Sequence, residues 1–86
     1  MLDGADISVR TRIVGIVNDL MRRRQLPLPV EVDQSLREAG LKSLDLVNMM
    51  LAIEDEFGIE IPQDRLTMDH FRSIVAIERL VSDVVG

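Results

Sequence analysis

The chain has 86 residues, 47% of them hydrophobic but only two aromatic, so it fits one small domain with an aliphatic core and is no disordered tail. It has no cysteine, which excludes a disulfide framework, a thiolate metal site and a cysteine nucleophile. The net charge of −5 is uneven, six acids against seven bases up to Lys42 and nine against three from Ser43 onward; this speaks against nucleic acid and points the second half toward basic protein surfaces.

A flexible N-terminus is expected over 1–6, followed by a helix capped by Asp6 or Ser8 and running to about Arg24. Val9, Ile13, Ile16, Val17 and Leu20 recur at helical spacing as one apolar stripe. Arg22, Arg23 and Arg24 close the helix, where positive charge complements the dipole. Pro27 and Pro29 then forbid helix. The connection to about Lys42 is longer than the usual ~4–6 residues. Val30, Val32, Leu36 and Leu41 imply that it is pinned to the core, with Asp33 and Gly40 as turn formers.

The second helix is predicted from Ser43 to about Phe57, ended by Gly58 as a left-handed C-cap. Leu46, Met49, Met50, Ile53 and Phe57 share one face, the expected core stripe. If Phe57 is buried there, removing it costs about 3–5 kcal/mol. Leu44, Val47 and Leu51 fall on a different arc, bordered by Asn48 and Asp55. One helix of a small bundle does not need two apolar faces, so the surplus is covered by another segment or kept for a partner or cargo.

Ile59 and Ile61 alternate with Glu60 before Pro62, but no second strand exists to pair with them, and the stretch reads as an extended linker. Thr67 to Phe71 reads as a single capped turn of helix. Ser73 reads as the N-cap of a last helix whose buried stripe is Ile74, Ile77, Leu80, Val81 and Val84. The pattern is all-α, three main helices plus one short helix in a single domain over 1–86. No apolar run approaches the roughly 20 residues of a membrane span. The start, Met-Leu-Asp-Gly-Ala-Asp, lacks a signal peptide's basic end and apolar middle, so a cytoplasmic location is expected.

Few residues offer chemistry. His70, the only histidine, stands beside Asp69 in a polar turn and reads as an ordinary surface residue. Glu54, Asp55 and Glu56 are adjacent on a helix and point in different directions, so no metal site is expected. With no nucleophile–base set and no phosphate loop, the chain is expected not to be an enzyme. Ser43 stands apart, after a long loop and at a helix start, in Gly40-Leu41-Lys42-Ser43-Leu44-Asp45-Leu46-Val47. A serine there is often only an N-cap, worth about 0.5–2 kcal/mol. The place also suits a phosphodiester, because exposed N–H groups and the positive end of the dipole favour an anion.

From Leu36 to Val47, through Ile53-Glu54-Asp55-Glu56-Phe57-Gly58-Ile59-Glu60-Ile61-Pro62, and again over Leu66-Thr67 to Phe71, Ser73-Ile74 and Ile77, the sequence resembles the acyl carrier protein and peptidyl carrier protein superfamily. The resemblance implies a four-helix acyl-carrier-protein-like bundle with a long loop between helices 1 and 2. It implies a 4′-phosphopantetheine arm on Ser43, installed from coenzyme A by a phosphopantetheinyl transferase, whose thiol carries an acyl or aminoacyl group as a thioester. The second helix would be the recognition helix, through Leu44, Asp45, Val47, Leu51, Glu54 and Asp55. Lys42 stands where the family usually has Asp, and Asn48 where housekeeping fatty-acid carriers usually place Glu. Both join the expected partner face, and both favour a specialised stand-alone carrier, a monomer served by an acyl- or amino acid-loading ligase and a downstream acyltransferase or synthase. The alternative is a non-covalent helical adaptor in which Ser43 is only a cap and Leu44, Val47 and Leu51 dock a partner helix.

Overall fold

Apolar residues at helical spacing build three helices that bury one stripe each. The computed structural model describes residues 4–85, with side chains from Val9 onward. Its regular elements are α1 (Gly4–Arg23), α2 (Ser43–Phe57) and α3 (Ile74–Val85), with 3-10 turns at Gln63–Arg65 and Met68–Phe71. No strand occurs among the described residues, and the Ile59–Ile61 stretch has no regular structure. The helix α1 packs on both α2 and α3, and the Met68–Phe71 turn joins α2 to α3. The expected short helix is therefore this 3-10 turn, and the turn at Gln63–Arg65 is an addition to the sequence reading.

In α1, Ile13, Val17 and Met21 are fully buried at four-residue intervals, with Val9, Ile16 and Leu20 half-buried beside them. The helix starts at Gly4, ahead of Asp6 and Ser8, so neither caps it. Of the stretch 1–6 expected to be flexible, residues 1–3 lie outside the described residues and 4–6 form the first turn of α1. The helix stops one residue short of Arg24. Gln25 takes the left-handed position (φ 57°), and the Leu26 N–H reaches back to the Met21 carbonyl at 2.9 Å.

The long connection is held by side chains and by backbone. Leu36 and Leu41 are buried and Val30 is half-buried, as the spacing implies. Val32 departs from that expectation. Its side chain is exposed, and it anchors the loop through its carbonyl, which accepts the Val75 N–H at 2.9 Å. The Leu36 N–H likewise donates to the Arg72 carbonyl at 2.8 Å, so the loop is stitched to the start of α3. Gly40 has φ 116°, and a Cβ on it would lie 2.7 Å from the Leu26 side chain. Glycine there lets Leu26 close the start of the loop over its end.

Along α2, Leu46, Met49, Met50 and Ile53 are buried, confirming the register. Phe57 is only half-buried, under the Arg12 guanidinium at 4.4 Å from its ring centre, which corrects the expectation of a core phenylalanine there. The buried aromatic is Phe71, fully enclosed at the end of the second 3-10 turn. Gly58 (φ 62°) ends α2, and the Ile59 N–H bonds the Glu54 carbonyl at 3.1 Å. Ser73 caps α3 as expected, its Oγ accepting the Ala76 N–H at 3.1 Å. Ile74, Ile77, Leu80 and Val81 complete the core. Among the described residues no helix is long and apolar enough to cross a membrane.

Candidate functional site

The site lies where the long loop meets α2. Lys42 has extended backbone (φ −100°, ψ 174°), and its carbonyl accepts the first helical bond, from the Leu46 N–H at 3.0 Å. Lys42 is thus the N-cap, and Ser43 is the first helical residue. This corrects the reading of Ser43 as a cap, since the capping position is one residue earlier than the serine motif suggests. Ser43 itself is exposed.

The N-terminus of α2 is secured by Asp45 instead. Its Oδ2 accepts the Lys42 N–H at 2.9 Å, a carboxylate reaching back from the third helical position. Its Oδ1 accepts the Arg24 Nε–H at 2.8 Å, joining the end of α1 to the start of α2. Asp45 is only 3% exposed, so it stands inside the fold and not on the partner face where the sequence placed it. A buried carboxylate needs partners, and here it has two. Arg24 was read only as a helix-end charge, because nothing local in the sequence tells which carboxylate it meets 21 positions later.

The Arg24 guanidinium, then the Lys42 N–H, hold the Asp45 carboxyl below the ordinary carboxylate range, outweighing the opposing effect of burial. A depressed folded-state value means that Asp45 stabilises fully above the unfolded value of about 4 and that this contribution is lost as pH falls below it. Asp45→Asn is therefore expected to cost about 1–3 kcal/mol at pH 7 and to flatten the fall in stability below pH ~4. Urea unfolding of both proteins between pH 3 and 7 measures this; parallel pH profiles would remove Asp45 from the account.

The second apolar arc is uncovered. Leu44 is 67% exposed, Val47 43% and Leu51 60%. Asn48 and Asp55 border them in the open, and Lys42 is exposed at the near end. Glu54 is half-buried and divides its role, one carboxylate oxygen accepting the Ile61 N–H at 2.9 Å. His70 bonds the Thr67 hydroxyl through Nδ1 at 2.8 Å, far in sequence from Ser43. No cluster of three or more His, Cys, Asp or Glu among the described residues could hold a metal.

The arrangement fits a phosphodiester-linked arm. An exposed hydroxyl opens a helix of 15 residues, the first-turn N–H groups have no partner within the helix, and the dipole places positive potential at the same point. Residues 11–81 match the family described as Phosphopantetheine attachment site. Aminoacyl carrier protein 1 of Bradyrhizobium diazoefficiens is 38% identical over 73 residues, covering 85% of this chain and 81% of that protein. The aminoacyl carrier protein of Agrobacterium fabrum is 45% identical over 60 residues, covering 66% of this chain and 72% of its own. A chain in the crystal structure of Bradyrhizobium japonicum glycine:[carrier protein] ligase complexed with glycylated carrier protein superposes with a TM-score of 0.70 at 38% identity, covering 84% of this chain and 97% of that one. A second such complex, of an engineered ligase with a carrier protein from Agrobacterium tumefaciens and AMP, gives 0.75 at 37% identity over 85% and 97%. The chain belongs to the phosphopantetheine attachment site family: it is an acyl-carrier-protein-like carrier of all-α fold whose prosthetic group is 4′-phosphopantetheine.

Proposed function

We propose that this carrier holds amino acids, with the arm on Ser43, a phosphopantetheinyl transferase installing it, and an ATP-dependent amino acid:carrier protein ligase loading it for a downstream acyltransferase or synthase. The observation that carries the reading is the exposed Ser43 at the first position of α2, beside an apolar arc that none of the described residues covers. When attached, the group supplies a thiol on which the cargo rides as a thioester. The chain's own part is to hold and present. The first-turn N–H groups and the dipole of α2 face the phosphodiester, Asp45 and Arg24 fix that helix end, and Leu44, Val47 and Leu51 offer the docking surface. Having no cysteine, the chain brings no competing thiol of its own. The 86 residues act as one carrier domain, a cytoplasmic monomer with no catalytic role.

Similarity to aminoacyl carrier proteins at 31–45% identity supports an amino acid over a fatty acyl cargo. The adaptor alternative loses part of its ground, since it needed Ser43 as the cap and Lys42 occupies that position. The test is to incubate the phosphopantetheinylated protein with ATP, single amino acids and an amino acid ligase, beginning with the Bradyrhizobium japonicum glycine:[carrier protein] ligase. An amino-acid mass increment that hydroxylamine releases is expected; loading by fatty acyl donors alone would overturn the cargo assignment. Val47→Asp, on the exposed arc, is expected to lower the ligase kcat/KM by about tenfold or more. An unchanged loading rate would remove the arc from the docking surface.

A further inference from the structure

Lys42 breaks a local rule for little return inside the fold: its charge is the weakest of the influences that hold the Asp45 carboxyl low. It caps α2, a position where Ser, Thr, Asp and Asn are favoured because their oxygens accept first-turn N–H groups. A lysine ammonium can only donate, and it places a cation at the positive end of the helix dipole. Among the described residues no carboxylate forms an ion pair with it, and its side chain is exposed. Departures from local preference with so little return concentrate at functional positions.

The surrounding charge gives the departure a direction. From Lys42 to Met50 the only other ionisable residue is Asp45, and it is buried and paired with Arg24. Asn48 is neutral. The acid open on this face, Asp55, lies at the other end of α2 with half-buried Glu54 at its edge, while Glu56 is turned to α1 and paired with Arg12. The docking surface is therefore polarised: one unpaired positive charge beside Ser43, an apolar middle at Leu44, Val47 and Leu51, and negative charge beyond.

We propose that Lys42 is a specificity residue, meeting a carboxylate that the loading ligase presents beside the serine, while the apolar arc fills a socket and the far end meets basic side chains. The inference rests on the reading of Ser43 as the attachment residue and of a ligase as the loading partner. Charge complementarity of this kind selects partners and registers the surfaces more than it adds raw affinity.

The experiment compares wild type, Lys42→Ala and Lys42→Asp, each converted to the phosphopantetheinylated form, with the ligase that loads the wild type in the assay above. Lys42→Asp supplies a better cap, so its unfolding midpoint is expected to rise, and a loss of loading cannot then be ascribed to unfolding. Its KM for the ligase is expected to rise about tenfold at low salt with kcat little changed, and Lys42→Ala to fall between. The difference should shrink at high ionic strength. Reversing the facing carboxylate of the ligase to lysine should restore Lys42→Asp. Equal or faster loading of Lys42→Asp would overturn the proposal while leaving the carrier reading intact. A wild type that takes no arm at Ser43, or that no amino acid ligase loads, is the separate failure of the reading beneath it.

Discussion

Ser43→Ala is expected to abolish attachment of the arm, and with it all loading, while changing stability by less than about 0.5 kcal/mol. The two halves of that result have separate causes. Loss of attachment follows from chemistry: the phosphodiester needs a hydroxyl at that point, and Lys42 and Leu44 on either side offer none. The near-neutral stability follows from geometry. Ser43 is exposed and already helical, the cap is Lys42, and the helix end is held by Asp45 through the Lys42 N–H and Arg24. Alanine is also a better residue than serine inside a helix. A measured loss of about 0.5–2 kcal/mol would instead return Ser43 to the capping role.

Phe71→Ala is expected to cost about 3–5 kcal/mol, the largest effect of any single substitution considered. Phe71 is fully buried, and it sits on the 3-10 turn that packs against both α2 and α3, so its removal opens a void where the elements meet. The neighbouring fold cannot easily collapse into that space, because the following residues are committed: the Arg72 carbonyl holds the Leu36 N–H and Ser73 caps α3. A domain of this size has a total stability of roughly 5–15 kcal/mol, so the variant should be close to unfolding at physiological temperature. Urea unfolding with an unchanged slope and a much lower midpoint is the expected record. Phe57→Ala provides the contrast, since that ring is only partly buried, with the Arg12 guanidinium over its face, and less is lost. Equal costs for the two would contradict the packing described.

Much of this was legible in the sequence, and the parts that were not share a physical reason. The stripes of α1, α2 and α3, the Gly58 C-cap and the Ser73 N-cap depend on residues within one or two turns of each other, and they stand where periodicity and capping chemistry place them, except that Phe57 and Val84 at the ends of their stripes are only partly buried. The exposed arc of Leu44, Val47 and Leu51 was legible for the same reason, as an excess over what one core face requires. What failed to show depends on contacts between distant segments. Asp45 looks like a surface acid until Arg24 arrives beside it. Val32 looks like an apolar anchor, whereas its carbonyl does the anchoring. Phe57 and Phe71 differ in burial because the first sits in the last turn of α2 with Arg12 over its ring and the 3-10 turn inserts the second into the core, which no helical period within α2 could reveal. The cap at Lys42 was missed because capping preference points to serine, and the structure sets that preference aside at this one place.

The attachment residue is the claim on which the rest depends, and one measurement addresses it directly. Purified protein is incubated with coenzyme A and a broad-specificity phosphopantetheinyl transferase, its intact mass is recorded, and the modified peptide is sequenced. A gain of one phosphopantetheine carried by Ser43, absent from Ser43→Ala, is the result this account predicts. A folded protein that gains nothing, or that carries the group on Ser8, Ser35, Ser73 or Ser82, would contradict it.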